Sequence, residues 1–106
     1  MFVKIYHYYI QPDKVEEFLS IQEEASKIYS KNLNFHTIYM NSKEDKTRWI
    51  EISRYKDEKE YIKSMTIING HKEIQEMFAR FQSLLLTDKN EIGEEDFIEK
   101  KEICTL

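Results

Sequence analysis

The sequence is poor in the residues that break regular structure, with 2 Gly and 1 Pro in 106 residues. A chain so short of turn formers consists mainly of helices and strands. Its one cysteine, Cys104, has no internal disulfide partner and fits a reducing compartment, where a structural or incidental role is expected of a lone thiol. No apolar run approaches the ~20 residues that cross a bilayer, so no membrane partner is expected. The opening Met1-Phe2-Val3-Lys4-Ile5-Tyr6 lacks the basic region, apolar core and cleavage site of a secretory signal, and the expected location is cytoplasmic. Net charge is −4 with both signs interspersed; without a basic stripe to neutralise phosphates, nucleic acid is not an expected partner. Nor is there a Gly-rich loop to cradle a nucleotide phosphate. Zinc-type His or Cys spacing is missing, so no metal is expected, and no Ser- or Cys-nucleophile signature of a hydrolase occurs.

What is present suits one domain spanning residues 1–106: 41% hydrophobic residues, including 7 Tyr and 6 Phe, against 34% charged. A core of modest size is expected at this length. Phe2 to Tyr9 reads as a strand with two faces, Val3, Ile5, His7 and Tyr9 on one and Phe2, Lys4, Tyr6 and Tyr8 on the other. Neither face is polar, although a sheet with one solvated side alternates cleanly. After Pro12, Asp13 is the expected cap of a helix, with Glu16 completing a capping-box pair. Its inner stripe is Val15, Phe18, Ile21, Ala25, Ile28 and Tyr29. Phe35 to Met40 and Arg48 to Tyr55 form a hairpin around a polar turn. A second helical region starts at Asp57, carries Tyr61, Ile62, Met65 and Ile68, and breaks at Asn69-Gly70. It resumes near His71 with Ile74, Met77, Phe78, Phe81 and Leu85 on one stripe, and a last strand is expected around Asp96 to Ile103. The order β-α-β-β-α-β predicts an α+β, ferredoxin-like domain, a four-stranded antiparallel sheet with helices on one face.

Three stretches carry a resemblance. Phe2 to Phe18, a strand running through Pro12 into a helix with an early aromatic residue, is similar to the opening of antibiotic biosynthesis monooxygenase domains. Arg54-Tyr55-Lys56-Asp57-Glu58-Lys59-Glu60-Tyr61 resembles that family's strand-to-helix corner, and Asn69-Gly70-His71-Lys72-Glu73-Ile74 its kinked second helix. The resemblance implies a homodimer in which two sheets close a dimeric α/β barrel, which would bury the second apolar face of the first strand. It further implies a monooxygenase, an oxidoreductase acting on a small aromatic or quinol-like compound with O₂ and without a cofactor. The alternative within the same superfamily is an IsdG-like protein that binds or degrades heme; there His71 matches the iron ligand, while Tyr61 and His7 depart from the tryptophan and asparagine of that branch. A non-catalytic dimer that binds a small ligand is the third reading.

The candidate catalytic pair is His71, at the head of an inward stripe, and His7, on the face of Val3 and Ile5. Imidazole titrates near neutrality and serves as base or ligand. If the His7 face meets the helices, the two open onto one cavity; a one-residue register slip would swing His7 to the other side. Tyr61, Tyr9 and Tyr29 are candidate substrate-binding phenols, Phe78 and Phe81 candidate cavity walls, and Trp49 a gate or wall. The competing reading makes each a satisfied core or surface residue.

Overall fold

The computed structural model describes residues 1–106. Element order is β1 (Phe2–Tyr9), α1 (Val15–Tyr29), β2 (Phe35–Asn41), β3 (Arg48–Tyr55), α2 (Glu58–Ile68), α3 (Lys72–Ser83) and β4 (Gly93–Ile98). All pairings are antiparallel, and the sheet order is β2-β3-β1-β4. This is the expected ferredoxin-like arrangement. No helix is long and apolar enough to cross a membrane.

Period two along β1 sends Phe2, Lys4, Tyr6 and Tyr8 toward the helices, and the aromatic members of that row explain the choice. Tyr8 packs edge-on against Phe18 of α1 and Phe81 of α3, with centroids 5.6 and 5.1 Å apart. Phe2 meets Tyr61 of α2 at 5.4 Å. Burying each large apolar side chain contributes roughly 1.5–3 kcal/mol, so three aromatic rings outweigh the one lysine in the row. Lys4, only 5% exposed, is tolerated there because its ammonium pairs with Glu94 and Asp96 of neighbouring β4. Burial alone would lower its pKa, but these two carboxylates reverse the sign and raise it.

The core falls into two clusters. One gathers Tyr8, Ile10, Phe18, Trp49, Phe81 and Leu85; the other gathers Phe2, Ala25, Leu33, Tyr55, Ile68 and Ile74. Met77 of α3 packs against both. The second helical region starts at Asp57 as expected, and Asp57 caps α2, its carboxylate accepting from the Glu60 N–H at 2.7 Å.

Several local expectations are corrected. Asp13 does not cap α1: Pro12–Lys14 forms a 3₁₀ turn and α1 starts at Val15 without a side-chain cap. Proline's fixed φ starts the turn early, and Asp13 is carried inside it. Ile62 is exposed, and Ser64 joins Ile68 as a buried residue of α2, donating to the Asn32 carbonyl. Strand β4 spans Gly93–Ile98, not Asp96 to Ile103, because its ladder with β1 runs out opposite Phe2.

Candidate functional site

Between the two core clusters the helix face of the sheet leaves a cavity of about 310 Å³. That lies at the lower end of the ~300–1,000 Å³ typical of small-molecule sites. Strands β1, β2 and β3 form its floor, and α1, α2 and α3 its roof. Phe78 lines it while remaining 52% exposed, which marks the mouth on the α3 side. Six of the seven tyrosines line it: Tyr6, Tyr8, Tyr29, Tyr39, Tyr55 and Tyr61. Among its lining residues the only carboxylate is Glu51, and no Lys, Arg or His lines it.

Glu51 reaches the cavity through the alternation of β3. It shares the inward row with Trp49, Ser53 and Tyr55, and stands opposite Tyr6 on one side and Tyr39 on the other. Tyr8 donates its hydroxyl to Glu51 Oε1 at 2.8 Å, while Oε2 has no protein hydrogen-bond partner. Burial pushes the Glu51 carboxyl above the usual glutamate range, and the Tyr8 hydrogen bond opposes part of that rise. Desolvation penalises the charged form, and a donor to the carboxylate restores some of the loss. The phenols of Tyr6, Tyr8, Tyr29, Tyr39 and Tyr55 are also pushed up, by burial first. For Tyr8, Tyr29 and Tyr39 the Glu51 carboxylate is the next cause. These five phenols therefore stay protonated and serve as hydrogen-bond donors. Glu51 is left as the group in the cavity able to accept a proton.

Of the residues singled out in the sequence, Tyr29, Tyr61, Phe78 and Phe81 line the cavity. The other four do not. His7 sits on the opposite sheet face, paired with Ile50 and Gly93, its Nε2 3.7 Å from a Glu95 carboxylate oxygen. Tyr9 shares that face, with the Lys89 ammonium 4.9 Å above its ring. Trp49 points to the helices but is core: its ring lies 5.0 Å from Phe18 and it is absent from the cavity wall. His71 is the exposed N-cap residue of α3 and also stands outside the cavity. The expected common space for His7 and His71 is thus not formed. Strand register sends one imidazole below the sheet, and the α2–α3 break leaves the other at a solvent-facing helix start. Heme fits poorly for the same reason, since the histidine that would ligate iron does not face the space a macrocycle would enter. No group of three or more His, Cys, Asp or Glu side chains gathers as a metal site.

Sequence reasoning passed over Glu51 and the inward phenols Tyr6, Tyr8, Tyr39 and Tyr55. One signal was available: Glu51 stands between Ile50 and Ile52 in a strand, on a row whose other members are aromatic or small. An acid on such a row is buried and needs a reason.

No family model matches the chain, and no curated protein matches its sequence. Solved structures do. A NIPSNAP domain protein from Burkholderia xenovorans is similar at TM-score 0.75 and 17% identity, over 99% of this chain and 100% of that one. SnoaB, a cofactor-independent oxygenase from Streptomyces nogalater, is similar at TM-score 0.72 and 8% identity, over 96% and 95%. An antibiotic biosynthesis monooxygenase is similar at TM-score 0.70 and 12% identity, over 95% and 100%. Likeness at these identities establishes the fold, which is the antibiotic-biosynthesis-monooxygenase type that the resemblance implied.

Proposed function

We propose that the protein is a cofactor-independent monooxygenase of a small hydroxylated aromatic or quinol-like compound, with its chemistry in the Glu51 cavity. The observation that carries this reading is a largely apolar chamber, ringed by six tyrosines, holding a single carboxylate with one free oxygen. A planar aromatic ligand fits such walls, and the phenols orient its oxygens. Glu51 takes the proton of a ring hydroxyl, and a raised pKa suits that task because a general base works best near the ambient pH. The resulting electron-rich anion passes one electron to O₂. Recombination of the substrate radical with superoxide forms the new C–O bond. Loss of water from the hydroperoxide then leaves a carbonyl, so one oxygen atom enters the product, the other leaves as water, and the substrate supplies all the electrons. The SnoaB fold likeness supports the reading, since that protein is a cofactor-independent oxygenase.

The assembly belongs to the same proposal. The sheet face away from the helices carries Val3, Ile5, Ile38, Ile50, Ile52 and Phe97, with Ile38 44% and Phe97 48% exposed. An apolar patch of this kind marks an interface. A second copy packed face to face gives the expected homodimer, a closed barrel.

The deciding experiment is oxygen uptake with hydroquinones and hydroxynaphthalenes in chelator-treated buffer. Uptake of one O₂ per quinone formed is expected, with Glu51→Gln slowed at least about a hundredfold, the usual worth of a positioned base. Turnover indifferent to Glu51→Gln, or no uptake with any substrate, overturns the reading.

A further inference from the structure

We infer that the Glu51 cavity selects uncharged hydroxyaromatic ligands of one or two rings and rejects aromatic carboxylates and other anions. The inference rests on the proposed reading of the cavity as an aromatic site and adds what that site discriminates.

Charge comes first. The cavity wall holds one carboxylate and no cation to balance it. The one buried cation, Lys4, stands behind the wall, its ammonium 5.9 and 5.2 Å from the Tyr6 and Tyr61 ring centroids, and it is already held by Glu94 and Asp96. A carboxylate ligand would therefore meet Glu51 in a desolvated space without a counter-charge, and like charges placed together this way cost several kcal/mol. Hydrogen bonding comes second. Glu51 Oε1 is held by Tyr8, so the carboxylate is oriented, while Oε2 lacks a partner. A ligand hydroxyl donating to Oε2 supplies the missing bond, whereas a methyl ether of the same shape leaves it unmade. Size comes third: about 310 Å³ is small among ligand sites, and most of the wall stands on three strands and three helices, with Leu33, Asn69 and Ile92 added from the segments that connect them. Among the polar wall groups Tyr39 is already engaged, donating to Gln22 Oε1 at 3.0 Å, and Thr37 and Ser53 pair with each other at 2.8 Å. Glu51 Oε2 is thus the carboxylate oxygen of the wall that an incoming hydroxyl finds unoccupied.

Three probes with one ring system separate these contributions: 2-naphthol, 2-methoxynaphthalene and 2-naphthoate, titrated by calorimetry into the wild-type protein, Glu51→Gln and Tyr8→Phe. In the wild type, 2-naphthol is expected to bind about tenfold or more tightly than the ether, the usual worth of a hydrogen bond to a charged group. 2-Naphthoate should bind at least about tenfold more weakly than 2-naphthol, from like-charge repulsion. In Glu51→Gln the gap between naphthol and naphthoate should close to within about threefold, because a neutral amide neither repels an anion nor accepts as strongly. Tyr8→Phe removes a wall hydroxyl and the bond that holds Glu51 but leaves its carboxyl in place; binding should weaken while naphthol still outranks naphthoate, which separates loss of the carboxyl from loss of a wall hydroxyl. Naphthoate binding the wild type as well as naphthol, or a ranking unchanged in Glu51→Gln, overturns the inference. If none of the probes binds, both this inference and the aromatic-site reading fall. If the ranking appears but no quinol is oxygenated, the selectivity stands and the oxygenase reading fails alone.

Discussion

Replacing Tyr8 with Phe removes one oxygen atom and leaves the ring on Phe18 and Phe81, so packing is preserved. What is lost is the 2.8 Å hydrogen bond to Glu51 Oε1. With Glu51 ionised, a bond to a charged group is worth roughly 1.5–3 kcal/mol, and the carboxylate left behind has no other protein donor. For a domain of this length about 1 kcal/mol moves the melting point by ~4 °C, so a fall of roughly 6–12 °C is expected. In a Glu51→Gln background the same substitution removes only a neutral bond and should cost about 0.5–1.5 kcal/mol. The double-mutant cycle should therefore return a coupling of about 1–1.5 kcal/mol from Tyr8 and Glu51. Urea denaturation at about pH 8, at fixed protein concentration because association would shift the midpoint, measures it. Zero coupling, or a Tyr8→Phe cost equal in both backgrounds, would refute the assignment of Glu51 as a hydrogen-bonded buried carboxylate.

Glu51→Gln carries its own pH signature. Between the ordinary glutamate value of 4.5 and its raised value, the folded chain retains a proton that the unfolded chain has released. Wild-type stability must fall as pH rises through that window, and the variant's should not; parallel stability–pH curves would contradict the burial argument. Ile38→Asp, in the middle of the open apolar sheet face, should turn a species of twice the 12.9 kDa chain mass into one of 12.9 kDa by light scattering; a wild type already at the lower mass would refute the face-to-face dimer. His71→Ala should change 2-naphthol affinity by less than about twofold, since exposed positions away from a site are worth within ±0.5 kcal/mol; a loss beyond tenfold would return His71 to the site. Phe18→Ala, at a fully buried ring shared by Tyr8, Trp49 and Phe81, should cost about 3–5 kcal/mol in chemical denaturation.

The sequence by itself determined the order and kind of every major element, because those follow from local patterns: period two in β1 and β3, period 3.6 in α1 and α3, Asp57 with Glu60 at the start of α2. It also placed Tyr29, Tyr61, Phe78 and Phe81 on inward stripes, and these do line the cavity. Which face of β1 meets the helices was beyond its reach. Val3, Ile5, His7 and Tyr9 look as apolar as Phe2, Lys4, Tyr6 and Tyr8, and Lys4 argues against the second row until Glu94 and Asp96, some ninety residues later, are seen to neutralise it. That pairing is a tertiary fact; it lets the aromatic row turn inward with its lysine and so leaves His7 on the far face of the sheet. Glu51 reads in sequence as one more charged residue in a chain that is 34% charged. Only the closing of α1, α2 and α3 over β3 takes its carboxyl out of water, sets it against Tyr8, and so turns an ordinary glutamate into a buried acid with its pKa pushed up.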